Sequence, residues 1–591
     1  MNSSDGSPHE IDRLWPWLTP ARTGVAIAFL ALMYSLATMG GHGITYDESA
    51  LYHAGDRTLY WLQHLGEPDA LRFDRPAPPS FHSDFERFPD PQDPFHYPVF
   101  PGFVGALTNW IFNTRLGILN TIDGHHLGVI LIHVTALWLY CVYASRLLGR
   151  GAGVAATIAL ALFPSAVGHS FNNPKDWPCA EFYGLFVLAL GVGVIEARFR
   201  ELLMAGVFLG LAFSAKMNAV FALATMIAWT PIAYVLLYFR RPLPVGLVAG
   251  YLLIPYVAGS LFFALWPWLY QGRVNEWWQH LNEYVTFMVN YGAGSRPTWT
   301  TYSWACLLFM SPPLVLATAG IYAAMGWSGD RRAQAAYALL VLWLLVPIGR
   351  IAMPRSNFYD GNRHFIEYVP ALCAMAGAGA AWIGSQLLAR AHAARVVQMA
   401  QRPYAEYIVA AVAAVAISFL VWPVIEYRPY EAAYFNDLIG GLGGAQRRAL
   451  FAMAPPADRR VNGTEGDYWL SSMREGLVLA SKYVPSTEPI GMCPGGDLIP
   501  ALPHVNWPGK RKPLVTAVNN YVRVVYVAPR ESLCGFARIR ELEAERPILH
   551  RIERGGGLIY EILGARDGAA HPIVTGESLY TKPEWYRQYT R

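Results

Sequence analysis

The chain is 591 residues long, 54% hydrophobic and 14% aromatic, with only 15% charged residues and a mean hydropathy of +0.24. That composition excludes an ordinary soluble globular protein and describes a chain that crosses a bilayer many times. The formal net charge of +4 leaves no nucleic-acid footprint.

Apolar stretches long enough to span recur as far as residue 424 and then stop. They predict eleven spans, near 23–42, 127–145, 151–168, 178–195, 201–215, 217–238, 245–266, 303–325, 335–352, 365–388 and 404–424. The 201–215 stretch is short, as a tilted or half-buried helix would be. The fold class is a mainly α-helical polytopic membrane protein. Residues 1–424 form the transmembrane domain and residues 425–591 a C-terminal domain outside the cytosol. Arginines cluster in every second loop: Arg146/Arg150, Arg198/Arg200, Arg240/Arg241, Arg331/Arg332 and Arg390/Arg395, with Arg13 and Arg22 before the first span. By the positive-inside rule these loops are cytoplasmic. The N-terminus is then inside, and the loops at 43–126, 169–177, 267–302 and 353–364 lie outside. The polar N-terminal segment runs into a full-length span without an A-x-A site, which reads as a retained signal-anchor. The arginine bias points weakly to a GC-rich bacterium, and so to its inner membrane.

The first span is broken by Gly40-Gly41-His42-Gly43, and Tyr46-Asp47-Glu48 follows at the outer boundary. Adjacent carboxylates there suit chemistry on a substrate that is half lipid and half polar. They equally suit the cap of a following helix. The long first outer loop ends in Phe95-His96-Tyr97-Pro98 and is too aromatic for disorder. His42, His53, His64, His82 and His96 invite a metal, but no pair has the H-x-x-x-H spacing of one helix face. No metal ligand is assigned, and a requirement for a divalent cation is left open.

The second outer loop, Asn172-Asn173-Pro174-Lys175-Asp176-Trp177-Pro178, brings a carboxylate and a lysine to the same face. Asp176 also fits a helix cap with Pro178 in the first turn. Only six of the 46 basic residues are lysines, and the membrane half holds two, Lys175 and Lys216, both at outer span ends. They either snorkel to the interface or meet a phosphate or carboxylate. In the third loop Trp277, Leu281, Tyr284 and Met288 recur at helical spacing, as in an amphipathic interfacial helix. The fourth carries Tyr359-Asp360-Gly361-Asn362-Arg363-His364. Arg363 and His364 suit either an anionic headgroup or interfacial anchoring. Cys493 and Cys534, both outside the cytosol, are able to pair.

Together the outer-loop motifs resemble the GT-C superfamily of membrane glycosyltransferases, specifically glycosyltransferase family 39, which includes protein O-mannosyltransferases and lipid A aminoarabinose transferases. The residues that carry the resemblance are Tyr46-Asp47-Glu48, His96-Tyr97-Pro98, Asn173-Pro174-Lys175-Asp176, Gly210 to Lys216 and Tyr359 to His364. Arg428 to Asn436 and Asp467-Tyr468-Trp469 resemble a bacterial branch. The lipid A enzymes carry Lys-Pro-Pro where this chain has His96-Tyr97-Pro98. The resemblance implies an inverting enzyme that moves one sugar from a polyprenyl-phosphate carrier to a lipid, glycan or protein acceptor. By that likeness Asp47 is the general base, and Glu48 and Asp176 orient the acceptor. Arg363, His364, Lys216 and Lys175 would face the donor phosphate, and His96 and Tyr97 would contact the acceptor or the loop. Past about residue 485 the resemblance ends, and the C-terminal region has the pattern of a small α/β domain: a helix near 467–484, a strand from Tyr521 to Val527, and a hairpin turning at Gly555-Gly556-Gly557.

Two rival classes fit many spans with scattered ionisable groups. A secondary transporter would place those groups near the midplane in inverted repeats, and no repeat is visible. A non-catalytic sensor or assembly subunit would tolerate loss of Asp47.

Overall fold

A computed structural model describes residues 19–45, 47–65, 78–85, 97–294, 296–393, 403–448, 465–467, 469–484, 488–493, 514–515, 522–529, 534, 536–566 and 574–575. Eight of its helical segments are long and apolar enough to span a membrane: Pro20–Gly41, Thr121–Leu148, Asp176–Ile195, Met217–Leu237, Val245–Ala264, Arg331–Ala352, Tyr368–Arg390 and Tyr407–Tyr427. Two bent pairs raise the number to as many as ten. The protein is a mainly helical, multi-pass membrane protein.

The helices in order are α1 (Pro20–Thr38), α2 (Glu48–Gln63), α3 (Phe100–Asn109), α4 (Thr121–Leu148), α5 (Arg150–Ala161), α6 (Pro164–Asn172), α7 (Asp176–Ile195) and α8 (Phe199–Phe213). Then come α9 (Val220–Leu237), α10 (Val245–Ala264), α11 (Val274–Gly292), α12 (Tyr302–Phe309), α13 (Pro313–Met325), α14 (Arg331–Ala352), α15 (Tyr368–Ala393) and α16 (Pro403–Tyr427).

Both predicted spans that turn out broken carry a proline at the break. Pro164 starts α6 at 61° to α5, and Pro312-Pro313 sets α13 at 111° to α12. A proline disfavours the helical conformation of the residue before it, so each run ends there. The 201–215 stretch becomes α8, whose 15 residues reach only about 22 Å against a hydrocarbon core of about 30 Å. The chain nevertheless returns to the end from which α7 set out, because Lys216, just past α8, bonds Asp176 at the start of α7. With each bent pair counted as one span the described residues give up to ten, against the eleven expected, and α8 is the expected span too short to be among them.

α7 lies at the centre of the bundle, with 94% of its span buried, whereas α16 is peripheral at 17%. The expected amphipathic helix of the third loop is α11; it buries Tyr284 and exposes Val274, Trp278 and Val289.

Beyond α16 come α17 (Gly441–Arg448), α18 (Met473–Ala480) and a six-stranded mixed sheet with one more helix, α19 (Phe536–Glu545). Its strands are β1 (Ile490–Cys493), β2 (Leu514–Val515), β3 (Val524–Val527), β4 (Ile548–Arg554), β5 (Gly557–Leu563) and β6 (Val574–Thr575), in the order β2-β1-β3-β5-β4-β6. β1 runs parallel to β2 and β3, β5 pairs antiparallel with β3 and β4, and β6 is parallel to β4. The β4–β5 hairpin turns at Gly555 and Gly556, both with positive φ, as the glycine run predicted. Alternation along β3 divides the core. Val524 and Tyr526 join the hydrophobic mass shared with α18 and the spans, whereas Val525 and Val527 pack with Ile539 and Leu542 of α19. Cys493 and Cys534 form a disulfide across 41 residues of chain. Closing a loop of that size removes about 4 kcal/mol of unfolded-state entropy in the chain-entropy model.

Candidate active site

The segment after α1 is fastened at several points, which fixes Asp47. The His42 ring stacks on Phe171 of α6 at 3.5 Å and its Nε2 lies 3.0 Å from Glu431. Thr45 Oγ1 donates to the Asn172 carbonyl at 3.0 Å. Glu48 is fully buried. Its Oε2 accepts the Thr45 N–H, and its Oε1 is met by Tyr52 Oη and His126 Nε2, each at 2.8 Å. Both oxygens of Glu48 are thus engaged within the protein, bracing the turn that presents Asp47.

Asp47 precedes the first residue of α2 and makes no capping bond there. Its side chain turns to cations brought from other loops. Lys175 Nζ donates to Asp47 Oδ2 at 2.8 Å, and Arg363 Nη1 donates to the same oxygen at 3.2 Å. No donor meets Oδ1 among the described residues. Asp176 binds Lys216 through Oδ1 and accepts Arg363 Nη1 through Oδ2 at 3.4 Å. The helix-capping role falls to Asn173 instead: its Oδ1 accepts the N–H of Asp176 at 2.7 Å and of Lys175 at 3.3 Å. This frees the Asp176 carboxylate for the cluster.

Arg363 sits at the centre. Its Nε and Nη2 both donate to Asp360 Oδ2, at 3.2 and 2.8 Å, while Nη1 serves Asp47 and Asp176. Asp360 and Gly361 both adopt positive φ, 54° and 63°, a conformation that aspartate tolerates and glycine favours. The turn folds Asp360 back onto the guanidinium. Two rings lie over Arg363, Tyr359 at 5.0 Å and Trp469 at 4.7 Å. Lys175 likewise lies 4.2 Å from the ring centre of Tyr97, which in turn meets Phe287 of α11.

Three carboxylates thus face three cations, and side-chain exposure separates them. Asp176, Lys216 and Arg363 are 1–3% exposed, while Asp47 is 19% exposed. Asp47 is the most open group of the cluster. Burial alone pushes the Asp47 carboxyl up, but Lys175 and then Arg363 outweigh it and hold it below its ordinary 3.8. For Lys175 burial opposes the charge, and Asp47 and Asp176 restore it, leaving the ammonium above its usual range. Burial lowers Lys216, which Asp176 only partly offsets. His364 is lowered well below 6.5, first by burial and then by Arg363 and Lys216. Its buried Nε2 has no hydrogen-bond partner among the described residues.

Of the residues singled out in the sequence, Asp47, Lys175, Asp176, Lys216 and Arg363 form one connected network. His364 adjoins it through Tyr359, at 4.3 Å between rings, and Tyr97 adjoins it through Lys175. Glu48 backs it from behind. His96, Tyr46 and Tyr468 lie outside the described residues. Among the described residues no group of three or more His, Cys, Asp or Glu side chains is arranged to hold a metal. His42, His125, His126 and His133 each meet a carboxylate instead.

Asp360 and Trp469 were quoted in motifs but given no role by sequence reasoning. The Asp-Gly pair signals the turn, yet nothing local signals Trp469, whose partner lies a hundred residues away. An apolar cavity of about 220 Å³ lies at the far end of α7, between α9 and α10, lined by Val194, Trp229, Tyr238 and Leu247. It holds no charged side chain and is not part of the ionic cluster.

Residues 104–270 match the family described as dolichyl-phosphate-mannose-protein mannosyltransferase. That segment carries Lys175, Asp176 and Lys216. No curated protein matches the chain in sequence. Among solved structures, ArnT from Cupriavidus metallidurans in the apo state is 14% identical, with 95% of this chain and 100% of that chain covered and a TM-score of 0.46. The same protein bound to undecaprenyl phosphate is 13% identical, with 93% and 98% covered and a TM-score of 0.44. The Archaeoglobus fulgidus oligosaccharyltransferase tethered to an acceptor peptide is 13% identical, with 87% and 70% covered and a TM-score of 0.46.

Proposed function

We propose that the protein moves one monosaccharide from a polyprenyl-monophosphate carrier to a lipid, glycan or protein acceptor on the extracytoplasmic side of the membrane, with inversion at the anomeric carbon. The observation that carries this reading is the Asp47 carboxylate, part-exposed and anchored by Lys175 and Arg363 through one oxygen only.

A single displacement needs a base for the acceptor proton and cations for the departing phosphate. Asp47 Oδ1 is the proton acceptor. Arg363, Lys175 and Lys216 are the phosphate's cations, and His364 adds a neutral hydrogen bond. Asp176 holds Lys216 and Arg363 in place, and Glu48 braces the Asp47 turn. An incoming phosphate competes with Asp47 for Lys175 and Arg363. As these cations shift toward it, the carboxylate loses the charges that depress its proton affinity, so donor binding strengthens the base.

The carrier follows from location. The arginine-rich loops, read as cytoplasmic by the positive-inside rule, support a cluster on the opposite side, where nucleotide sugars are normally unavailable. A polyprenyl tail lies along spans while its phosphate meets cations at the interface. The family matched over residues 104–270 is named for a dolichyl-phosphate donor, which supports the same carrier class. A bacterial inner-membrane setting, with residues from 425 onward as a separate extracytoplasmic domain, belongs to this proposal. A transporter is less well supported, because the connected charges lie at span ends.

Reconstituted protein is offered radiolabelled polyprenyl-phosphate monosaccharides and nucleotide sugars in parallel. Transfer from the lipid-linked donor alone is expected. Transfer from a nucleotide sugar in carrier-free membranes would overturn the proposal.

A further inference from the structure

The region beyond α16 reaches into the ionic cluster through a short turn. Asp467 ties the turn together: its Oδ1 accepts from Ser471 N at 3.0 Å and Ser471 Oγ at 2.8 Å, and its Oδ2 accepts from Ser472 N. Arg474, on α18, fastens the turn to the membrane half. Its Nη1 donates to the His42 carbonyl at 3.1 Å and to Asp123 at 3.0 Å, with both side chains buried. The fit is close. A Cβ added to Gly43 would stand 1.9 Å from the Ser471 carbonyl oxygen. The turn therefore sits on the segment that leads to Asp47, and the residue it carries forward is Trp469.

Trp469 is 3% exposed, with its indole over the Arg363 guanidinium at 4.7 Å and edge-on to His169 at 5.8 Å. Arg363 must offer donors in several directions, since its fork serves Asp360, Asp47 and Asp176 together. A guanidinium is planar, and its donors point only within that plane. A ring laid over the face leaves those in-plane donors available while excluding water from the face itself. Tyr359 supplies another ring from the same loop as Arg363. Trp469 comes from the region beyond α16.

We propose that Trp469 is a positioning residue for donor binding, holding the plane of Arg363 so that its donors address the carrier phosphate, and that the C-terminal region is thereby a component of the active site. This rests on the reading of Arg363 as a phosphate ligand. A desolvated cation–π contact corresponds to roughly a tenfold to thirtyfold change in affinity. The stack requires an aromatic face, not merely bulk. Trp469→Phe keeps a face, whereas Trp469→Leu keeps apolar volume without one.

The full-length protein in nanodiscs is titrated with synthetic polyprenyl monophosphate, with thermal unfolding followed alongside. Trp469→Phe is expected to bind within about threefold of the parent, and Trp469→Leu about tenfold or more weaker with a similar melting temperature. Undiminished binding by Trp469→Leu overturns the inference. So does equal weakening of both variants with a matching loss of thermal stability, which is the signature of packing alone. A second measurement needs no donor: phenylglyoxal modification of Arg363, mapped by mass spectrometry. Arg363 should be protected in the parent and in Trp469→Phe and labelled in Trp469→Leu. Equal labelling throughout overturns the positioning role. If the parent binds no polyprenyl phosphate, the functional reading fails and the labelling still decides the stack.

Discussion

Replacing Arg363 by lysine keeps the charge and removes the fork, which isolates what the geometry contributes. The guanidinium makes four contacts, two to Asp360 and one each to Asp47 and Asp176. A single ammonium on a shorter reach serves one carboxylate well. If it stays with Asp360, Asp47 keeps Lys175 and Asp176 keeps Lys216. At least two bonds between charged groups are then lost, each worth about 1.5–3 kcal/mol. Those losses fall on stability; toward the donor phosphate, an ammonium in place of the fork forfeits about one charged hydrogen bond, or about 10- to 150-fold in kcat/KM for the lipid-linked donor. The pH profile adds a sign. Asp47 is held below 3.8 by Lys175 and Arg363, so the ionised carboxylate persists on acidification and its contribution to folding is lost only below that value. With Arg363 withdrawn, one lowering influence goes and the Asp47 carboxyl rises. Initial rates with labelled donor between pH 4 and 8 should show an acid limb that lies higher in Arg363→Lys than in the parent. A lysine variant with parental donor affinity, rate and acid limb would refute the assignment of Arg363.

Asp47→Asn should cut transfer by about 100- to 10,000-fold while polyprenyl-phosphate binding remains largely intact, since a positioned base is lost and the cations stay; purified variant turnover and lipid titration measure the two separately. Gly43→Ala should destabilise the contact between the halves by about 1–3 kcal/mol or more, because its Cβ meets the Ser471 carbonyl, a backbone atom unable to swing aside; a lowered unfolding temperature checks it. Protease applied to intact spheroplasts should cut within the region from residue 425 onward, as the arginine distribution requires; full protection would reverse the topology.

The extent to which the sequence disclosed this arrangement follows the range of the interactions. Span positions were legible because a bilayer demands an apolar run whatever surrounds it, and the α5/α6 and α12/α13 breaks had visible causes in Pro164 and Pro312-Pro313. Asp47, Lys175, Asp176, Lys216 and Arg363 were legible as a face, since each follows or precedes an apolar run on the same side. Their individual partners were not, because ion pairing between loops depends on how the spans pack. Asp176 looked like a helix cap, and Asn173 caps the helix instead. Adjacent to Asp47, Glu48 looked like its partner in chemistry, but the helical turn points it inward to Tyr52 and His126. Arg363-His364 read as two groups suited to an anion, and burial, with Arg363 beside it, lowers the imidazole well below its usual range. Buried pairs such as His133–Glu181 and Arg474–Asp123 left no local mark, and neither did the stacking of Trp469 on Arg363.

The most direct test is a structure of the protein in lipid nanodiscs with a polyprenyl monophosphate bound. The phosphate should lie within about 3 Å of donors on Arg363 and of at least one of Lys175 and Lys216, next to Asp47 and with the tail running outward along the spans. A phosphate seated away from these residues, with Lys175 and Arg363 still closed on Asp47, would contradict the account.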